Sequence, residues 1–239
     1  MKLTYIYHSG FAIESDRCNI IIDFFKDSES VKKGIVHDKL LKSDKKLYVL
    51  STHSHIDHFN KDILKWKDEK RDIQYIFSKE ILDNGSANIE DAVFLGKLDT
   101  FEDELIEVCA FGSTDIGGSF VVRCDGKTIF HAGDLNNWHW DEESTKEEIE
   151  EAERNYLNEL NLLAEHFSYF DLVMFPVDIR LGKNYMKGGL QFLDKIKVGI
   201  FVPMHFSKNY ESANKLKNSA IEKGVRFFEI IDKGDSIIF

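Results

Sequence analysis

Residues Ser51-Thr-His-Ser-His-Ile-Asp-His-Phe59 place three imidazoles and a carboxylate, His53, His55, Asp57 and His58, within a few positions of one another. Such a group is poor core material, because every polar atom would need a partner once buried. The same side chains are good ligands for zinc, iron or manganese, which accept neutral imidazole nitrogen and carboxylate oxygen. The preceding Lys46-Leu-Tyr-Val-Leu50 is a short apolar run that reads as a buried strand. Asn60 then caps a helix carrying Ile63, Leu64 and Trp66. The four candidates therefore fall on a strand-to-helix turn, where side chains can converge on one point.

Further segments extend this reading. Phe130-His-Ala-Gly-Asp134 and Val202-Pro-Met-His205 each end an apolar run in a potential ligand. Near the start, Tyr7-His-Ser-Gly-Phe-Ala-Ile13 precedes Asn19-Ile-Ile-Ile-Asp23. Taken in order with His-x-His-x-Asp-His, these segments resemble the metallo-β-lactamase superfamily from about residue 3 to the end. The opening pair looks like the branch containing ascorbate-6-phosphate lactonase-like enzymes. The resemblance implies a four-layer αββα sandwich, with His53 and His55 on a first metal and Asp57, His58 and His205 on a second. Asp134 would lie between them.

One motif departs from that pattern. Where the family carries a histidine completing the first site, this chain has Gly112-Ser-Thr-Asp-Ile-Gly-Gly-Ser119, with Ser113 at the histidine position. Asp115 or His131 could substitute, a water could fill the place, or the site could be weak or empty. The expectation is one or two divalent ions, zinc first and manganese or iron next, with unequal affinity if nothing compensates.

The chain has 239 residues, 43% of them hydrophobic, enough for one α/β domain spanning 1–239. No stretch approaches the roughly 18 apolar residues of a membrane span, and the start lacks a signal-peptide pattern. Cys18, Cys109 and Cys124 are odd in number and unclustered, and read as reduced thiols in a cytoplasmic protein. A formal net charge of −11 without a basic stripe disfavours nucleic acid, whose backbone is bound through Lys and Arg. The expected partner is a small-molecule substrate, with neither nucleic acid nor membrane; the oligomeric state is not legible. The acidic run from Glu142 to Glu153 reads as a solvated helix start that suits the helix dipole.

Along the chain, strands are expected at about 3–7, 11–15, 19–23, 47–51, 73–77, 92–95, 105–110, 119–124, 127–131, 171–176, 199–203, 225–230 and 235–239. Helices are expected at 60–67, 78–83, 144–167, 186–196 and 209–223. The longest opens on Ser144-Thr-Lys-Glu147, a capping-box pattern, and repeats apolar residues at helical spacing through Phe167. Residues 26–45 read as a surface excursion. This alternation is that of a layered α/β domain without linkers or repeats.

Other polar residues carry competing readings. His8, at a strand end, is a pocket-wall or structural histidine. Trp138 and Trp140 form an aromatic substrate wall or, more simply, packing. Arg180, beside Asp178 just past a strand end, holds an anionic substrate group or makes a surface ion pair. His37 and His166 have no functional context.

A two-metal centre acidifies water and polarises the group under attack. The implied activity is a hydrolase whose metal-bound hydroxide attacks an ester, lactone or phosphoester, with Asp57 orienting the hydroxide or taking its proton. The alternative is an inactive metal-binding or sensing protein of the same fold. A flavodiiron-like oxidoreductase ranks lower, because that family places a carboxylate where His55 stands and needs a flavin domain.

Overall fold

The computed structural model describes residues 1–239. Two mixed sheets stack face to face. The first contains β1 (Lys2–Tyr7), β2 (Gly10–Glu14), β3 (Cys18–Ile22), β4 (Lys46–Ser51), β5 (Ile73–Ser78) and β6 (Val93–Leu95) in that spatial order. The second contains β7 (Thr100–Glu102), β8 (Ile106–Phe111), β9 (Ser119–Cys124), β10 (Lys127–His131), β11 (Tyr169–Pro176), β12 (Lys197–Met204) and β13 (Arg226–Phe227). The C-terminal β14 (Ser236–Ile238) returns to the first sheet and pairs with β1. Each sheet has the same plan: an antiparallel meander, then parallel strands, which begin at the β3–β4 pair in one and the β10–β11 pair in the other.

The period-2 alternation of strands sorts the apolar residues between layers. Leu3, Tyr5, Ile20, Ile22, Tyr48 and Leu50 join the main core with the second sheet. Ile6, Ile21, Leu47, Val49 and Phe77 point the other way, onto Val36, Leu40, Ile63, Trp66 and Ile81. Those partners come from a turn of helix at Ile35–Leu40, a 3₁₀ segment at Lys61–Asp68 and α1 (Lys79–Asp83). The outer layer on the second sheet is α2 (Lys146–His166) with α3 (Lys187–Lys195), and Tyr156, Leu160 and Leu163 of α2 are buried there. The four layers are those of an αββα sandwich.

Some boundaries move. The capping box of α2 lies one residue later than expected, with Thr145 and Glu148 exchanging bonds. The helix expected at 209–223 divides into α4 (Tyr210–Asn214) and α5 (Lys217–Glu222), with Lys215 and Leu216 between them keeping right-handed helical dihedrals; the Asn214 side chain bonds the backbone of Ile230 in both directions. The strand expected at 225–230 stops at Phe227, and the short edge strand β7 has no periodic signature. The cysteines are not all unclustered: Cys18 and Cys124 meet with their sulfurs 3.7 Å apart. No helix is long and apolar enough to cross a membrane.

Asp103 ties the sheets together near one end. It accepts from Lys46 Nζ at 2.9 Å and Tyr48 Oη at 2.6 Å on β4, and from the amides of Leu105 and Ile106 leading into β8. Burial opposes its ionisation, but these donors hold its carboxyl down at about 2. A carboxyl depressed in this way stabilises the fold above its unfolded value of about 3.9, and the contribution is lost as pH falls towards 2. Asp103→Ala should cost about 1–2 kcal/mol at neutral pH after solvent screening. Urea melts of both proteins should converge as pH drops from 5 towards about 2; a gap that persists there would refute the assignment.

Candidate metal centre

The site gathers at the carboxyl ends of the parallel strands and the loops beyond them, where α/β sheets place ligand groups. Asp23 follows β3; Thr52 and His53 follow β4; Asp134 follows β10; Asp178 follows β11; His205 follows β12. His8 enters from the β1–β2 turn. His8, Asp23 and His205 have left-handed backbone, with φ of 59°, 53° and 62°. Non-glycine residues rarely adopt that conformation, and it concentrates at functional sites. His205 N donates to His8 O, and the two rings lie 4.3 Å apart, so this backbone sets both imidazoles side by side.

Two clusters form. In one, ligand atoms of His8, Asp57, His58 and His205 all lie within 4.8 Å of one another; in the other, those of His53, His55, Asp115 and Asp134 do. Asp134 faces both. Its Oδ2 is 3.4 Å from His53 Nε2, while Oδ1 is 3.2 Å from His58 Nε2 and 3.5 Å from His205 Nε2. Ligands about 2.1 Å from a common ion stand roughly 3–4 Å from each other, which these spacings match.

Hydrogen bonds on the far side of each ring decide where its lone pair points. His58 Nδ1 lies 2.7 Å from Asp23 Oδ2 and His205 Nδ1 2.9 Å from Asp178 Oδ2, so each Nδ1–H donates to a carboxylate. Thr52 donates its hydroxyl to Asp23 Oδ2 at 2.7 Å and can therefore accept from His53 Nδ1 at 3.1 Å. When neutral, rings held this way turn a bare Nε2 lone pair towards Asp134. His8 Nε2, His53 Nε2, His58 Nε2 and Asp134 Oδ1 are buried without a hydrogen-bond partner. Buried atoms are seldom left so. A divalent cation is the partner this donor set fits, and the cluster is able to bind metal.

Electrostatics agree with that reading. Burial pushes His53 down to about 4, with His58 reinforcing it. Burial also opposes charge on His58, but Asp134 and Asp23 outweigh it and carry the ring to about 9. Burial likewise opposes ionisation of Asp23, yet His131 and His58 hold its carboxyl at about 2. Without a cation, His58 carries the balancing proton; a bound metal would displace it.

Beside the position that Ser113 leaves without a histidine stands Asp115, whose Oδ2 is 3.7 Å from His55 Nδ1. Ser113 instead accepts from the Asp115 amide at 3.2 Å. Thr114 exchanges bonds with Asn136, fastening this loop to the one carrying Asp134. Gly117, at φ 71°, packs so tightly on Thr52 O and His53 Cβ that a side chain there would displace His53. On the other flank, Ser54 donates its amide and hydroxyl to Glu80 of α1. His131 does not join the cluster. Its Nε2 donates to Ser9 O at 2.9 Å and its Nδ1 accepts from Gly133 N, so both nitrogens are committed. Of the two candidate substitutes, Asp115 enters a cluster and His131 does not; His8, read as a pocket-wall or structural histidine, enters the other cluster.

A cavity of about 420 Å³ opens over the clusters, lined by His55, Asp57, Thr114, Asp115, Asp134, Trp138, Trp140, Arg180 and His205. Trp138 and Trp140 stack at 15° with centroids 6.1 Å apart, and Trp138 Nε1 donates to Asp134 O. They both pack on the core and wall the cavity. Arg180 forks onto Asp178 through Nε, which links it to His205. Asp23 and Thr52 were not legible as site residues. The available signal was a carboxylate closing an otherwise apolar strand, Asn19-Ile-Ile-Ile-Asp23.

Comparison with known proteins agrees with this architecture. The profile described as "Beta-lactamase superfamily domain" matches residues 2–152, which carry both clusters except His205. The chain belongs to the beta-lactamase superfamily. A protein named UPF0173 metal-dependent hydrolase from Nanoarchaeum equitans is 24% identical, covering 99% of each chain. Another of that name from Pelotomaculum thermopropionicum is 22% identical over 87% of this chain and 85% of its own. Among solved structures, the metallo hydrolase Igni18 of Ignicoccus hospitalis superposes with a TM-score of 0.69 at 19% identity, covering 100% of this chain and 97% of its own. That likeness shows the superfamily fold.

Proposed function

We propose that this member of the superfamily is a metal-dependent hydrolase acting on an ester, lactone or phosphoester of a small molecule. The observation carrying the reading is the convergence of the unpartnered Nε2 atoms of His53 and His58, together with His205 Nε2, on Asp134. His53, His55 and Asp115 would hold one divalent cation and His8, Asp57, His58 and His205 the other, with Asp134 between. When bound, such cations lower the pKa of water from 15.7 towards about 7 and polarise the oxygen of the group under attack. Zinc suits this imidazole-rich donor set first, then manganese or iron.

The chain's own groups supply the rest. Asp57 lines the cavity with its Oδ2 3.2 Å from His8 Nε2. Burial opposes its ionisation, but the His8 contact and the nearby His58 keep it well below the usual carboxylate range. It therefore enters ionised, as a carboxylate that accepts a hydrogen bond from the attacking water and orients it. Arg180, 62% exposed at the cavity wall, offers charge to an anionic portion of the substrate, while its bond to Asp178 fixes it in place. The stacked tryptophans exclude water from one side. The cavity volume is that of a small-molecule site, and a formal charge of −11 opposes nucleic acid. The likeness of Tyr7–Ile13 to ascorbate-6-phosphate lactonase-like enzymes makes phosphorylated lactones a natural part of the panel.

The test is turnover by zinc-, manganese- and iron-loaded protein on ester, lactone and phosphoester panels, with chelator-treated controls. Chelator-sensitive hydrolysis is expected. A metal-loaded protein inert across all three panels would favour the inactive-binder alternative, which Asp115 beside His55 makes less attractive. Independently of turnover, Asp23→Asn should weaken the His58 cluster about 10–100-fold, because it removes the anion that orients His58. Competition against a chromophoric chelator reads this directly; an unchanged affinity would remove Asp23 from the design.

A further inference from the structure

Cys18 opens β3 and Cys124 closes β9, so one thiol stands on each sheet. They are 106 positions apart in sequence, and their sulfurs are 3.7 Å apart across the buried space between the sheets. Both residues are almost wholly buried, Cys18 at 0% and Cys124 at 3% exposure. Ser15 Oγ lies 3.5 Å from Cys18 Sγ. Above the pair, Arg17 Nε donates to Asp125 Oδ1 at 3.1 Å and Asp16 N to Asp125 Oδ2 at 3.2 Å, joining the β2–β3 and β9–β10 turns. This is the end of β3 away from Asp23, and so away from the metal clusters.

We propose that Cys18 and Cys124 are a modification site: a dithiol that a small hydroperoxide oxidises to a disulfide clamping the two sheets together. A disulfide needs the sulfurs about 2.05 Å apart, so the two atoms at 3.7 Å must close by less than about 2 Å. The contact also divides the roles. The hydrogen bond from Cys124 lowers the Cys18 thiol to about 7 against the opposing effect of burial, with Ser15 helping. The same bond, with burial, raises Cys124. The Cys18 thiolate attacks one peroxide oxygen; the S–O bond forms, the O–O bond breaks, and hydroxide leaves. The sulfur of Cys124 then attacks Cys18 Sγ, expelling the sulfenic oxygen, which departs as water with the Cys124 proton. Two thiols lose two electrons, and the hydroperoxide gains them. Cys109 lies on β8 against Thr100 and Glu107 and has no thiol partner.

Exposure of the full, folded chain to hydrogen peroxide, followed by alkylation under denaturing conditions and mass spectrometry, tests this. The alkylatable thiols should fall from the three cysteines of the sequence to Cys109 alone, with the mass of two hydrogens lost and a Cys18–Cys124 peptide pair recovered. A phosphine reductant should reverse all three changes. Closing a loop of this length should raise Tm by roughly 10 °C in the oxidised form. Cys18→Ser should abolish the cross-link and Cys109→Ser should leave it intact, which keeps the test available if a buried serine impairs folding. Three alkylatable thiols at a peroxide dose that already oxidises methionine would overturn the proposal. Oxygen adducts on the sulfurs without the cross-link would do the same.

Discussion

Asp134→Ala should empty both metal clusters at once, whereas His205→Ala should empty only one. The expectation rests on a single carboxylate facing two ways, with Oδ2 towards His53 and Oδ1 towards His58 and His205. Removing it takes a ligand from each ion and the shared negative charge that offsets two cations in a buried setting. Affinity at both clusters should fall by more than the roughly 10–100-fold that loss of an outer partner costs. Hydrolysis should fall about 10³-fold or more, since several kcal/mol of charge stabilisation disappear. His205 reaches only the cluster with His8, Asp57 and His58, so its removal should leave the His53/His55 ion bound. Plasma emission spectrometry on folded variants gives the stoichiometries. Asp134→Ala protein that keeps one tight ion would show that the carboxylate serves a single site and that the centre is not shared.

The layer plan was readable because the strands that build it are unusually plain. Asn19-Ile-Ile-Ile and Leu47-Tyr-Val-Leu are apolar on both faces, as strands buried between a sheet and a helical layer must be, and both fold as expected. Errors arose at element boundaries and where pairing is distant in sequence. Nothing local breaks the apolar pattern Ala213, Leu216, Ala220, and the dihedrals stay right-handed through Lys215 and Leu216, so the division into α4 and α5 has no local sequence signal. Cys18 and Cys124 looked isolated because pairing across sheets leaves no trace in spacing. In the site, the ligand candidates of 53–58 were legible as a local cluster, and Asp134 and His205 as motif ends. The choice between Asp115 and His131 was not, because it depends on what each side chain meets. His131 meets Ser9 O and the Gly133 amide; Asp115 is delivered to His55 by a loop whose Gly117 lies against His53.

Asp115 therefore supports a sharper expectation than unequal sites alone. The His53 cluster is the more open, with His55 and Asp115 side chains 51% and 42% exposed, whereas His58 is fully buried and His8 and His205 nearly so. Water competes for an open site and screens its charges, so apoprotein titration should show one tight and one weaker ion. Asp115→Ala should abolish the weaker one while leaving the tighter within a few-fold of its original affinity, since Asp134, the one group common to both clusters, stays in place. Ser113→His should then discriminate the role of Asp115 from its mere presence. In the native background a histidine removes the hydroxyl that accepts from the Asp115 amide, so the gain should be small. In the Asp115→Ala background the same histidine should restore the lost ion, because imidazole is the stronger ligand for a divalent cation at a site already holding His53 and His55. Restoration by Ser113→His only when Asp115 is absent would identify the aspartate as the group filling that coordination position. Two equally tight ions in Asp115→Ala protein would mean instead that another oxygen, from water or Thr114, completes the first site, and that Asp115 acts on the cavity rather than on the metal.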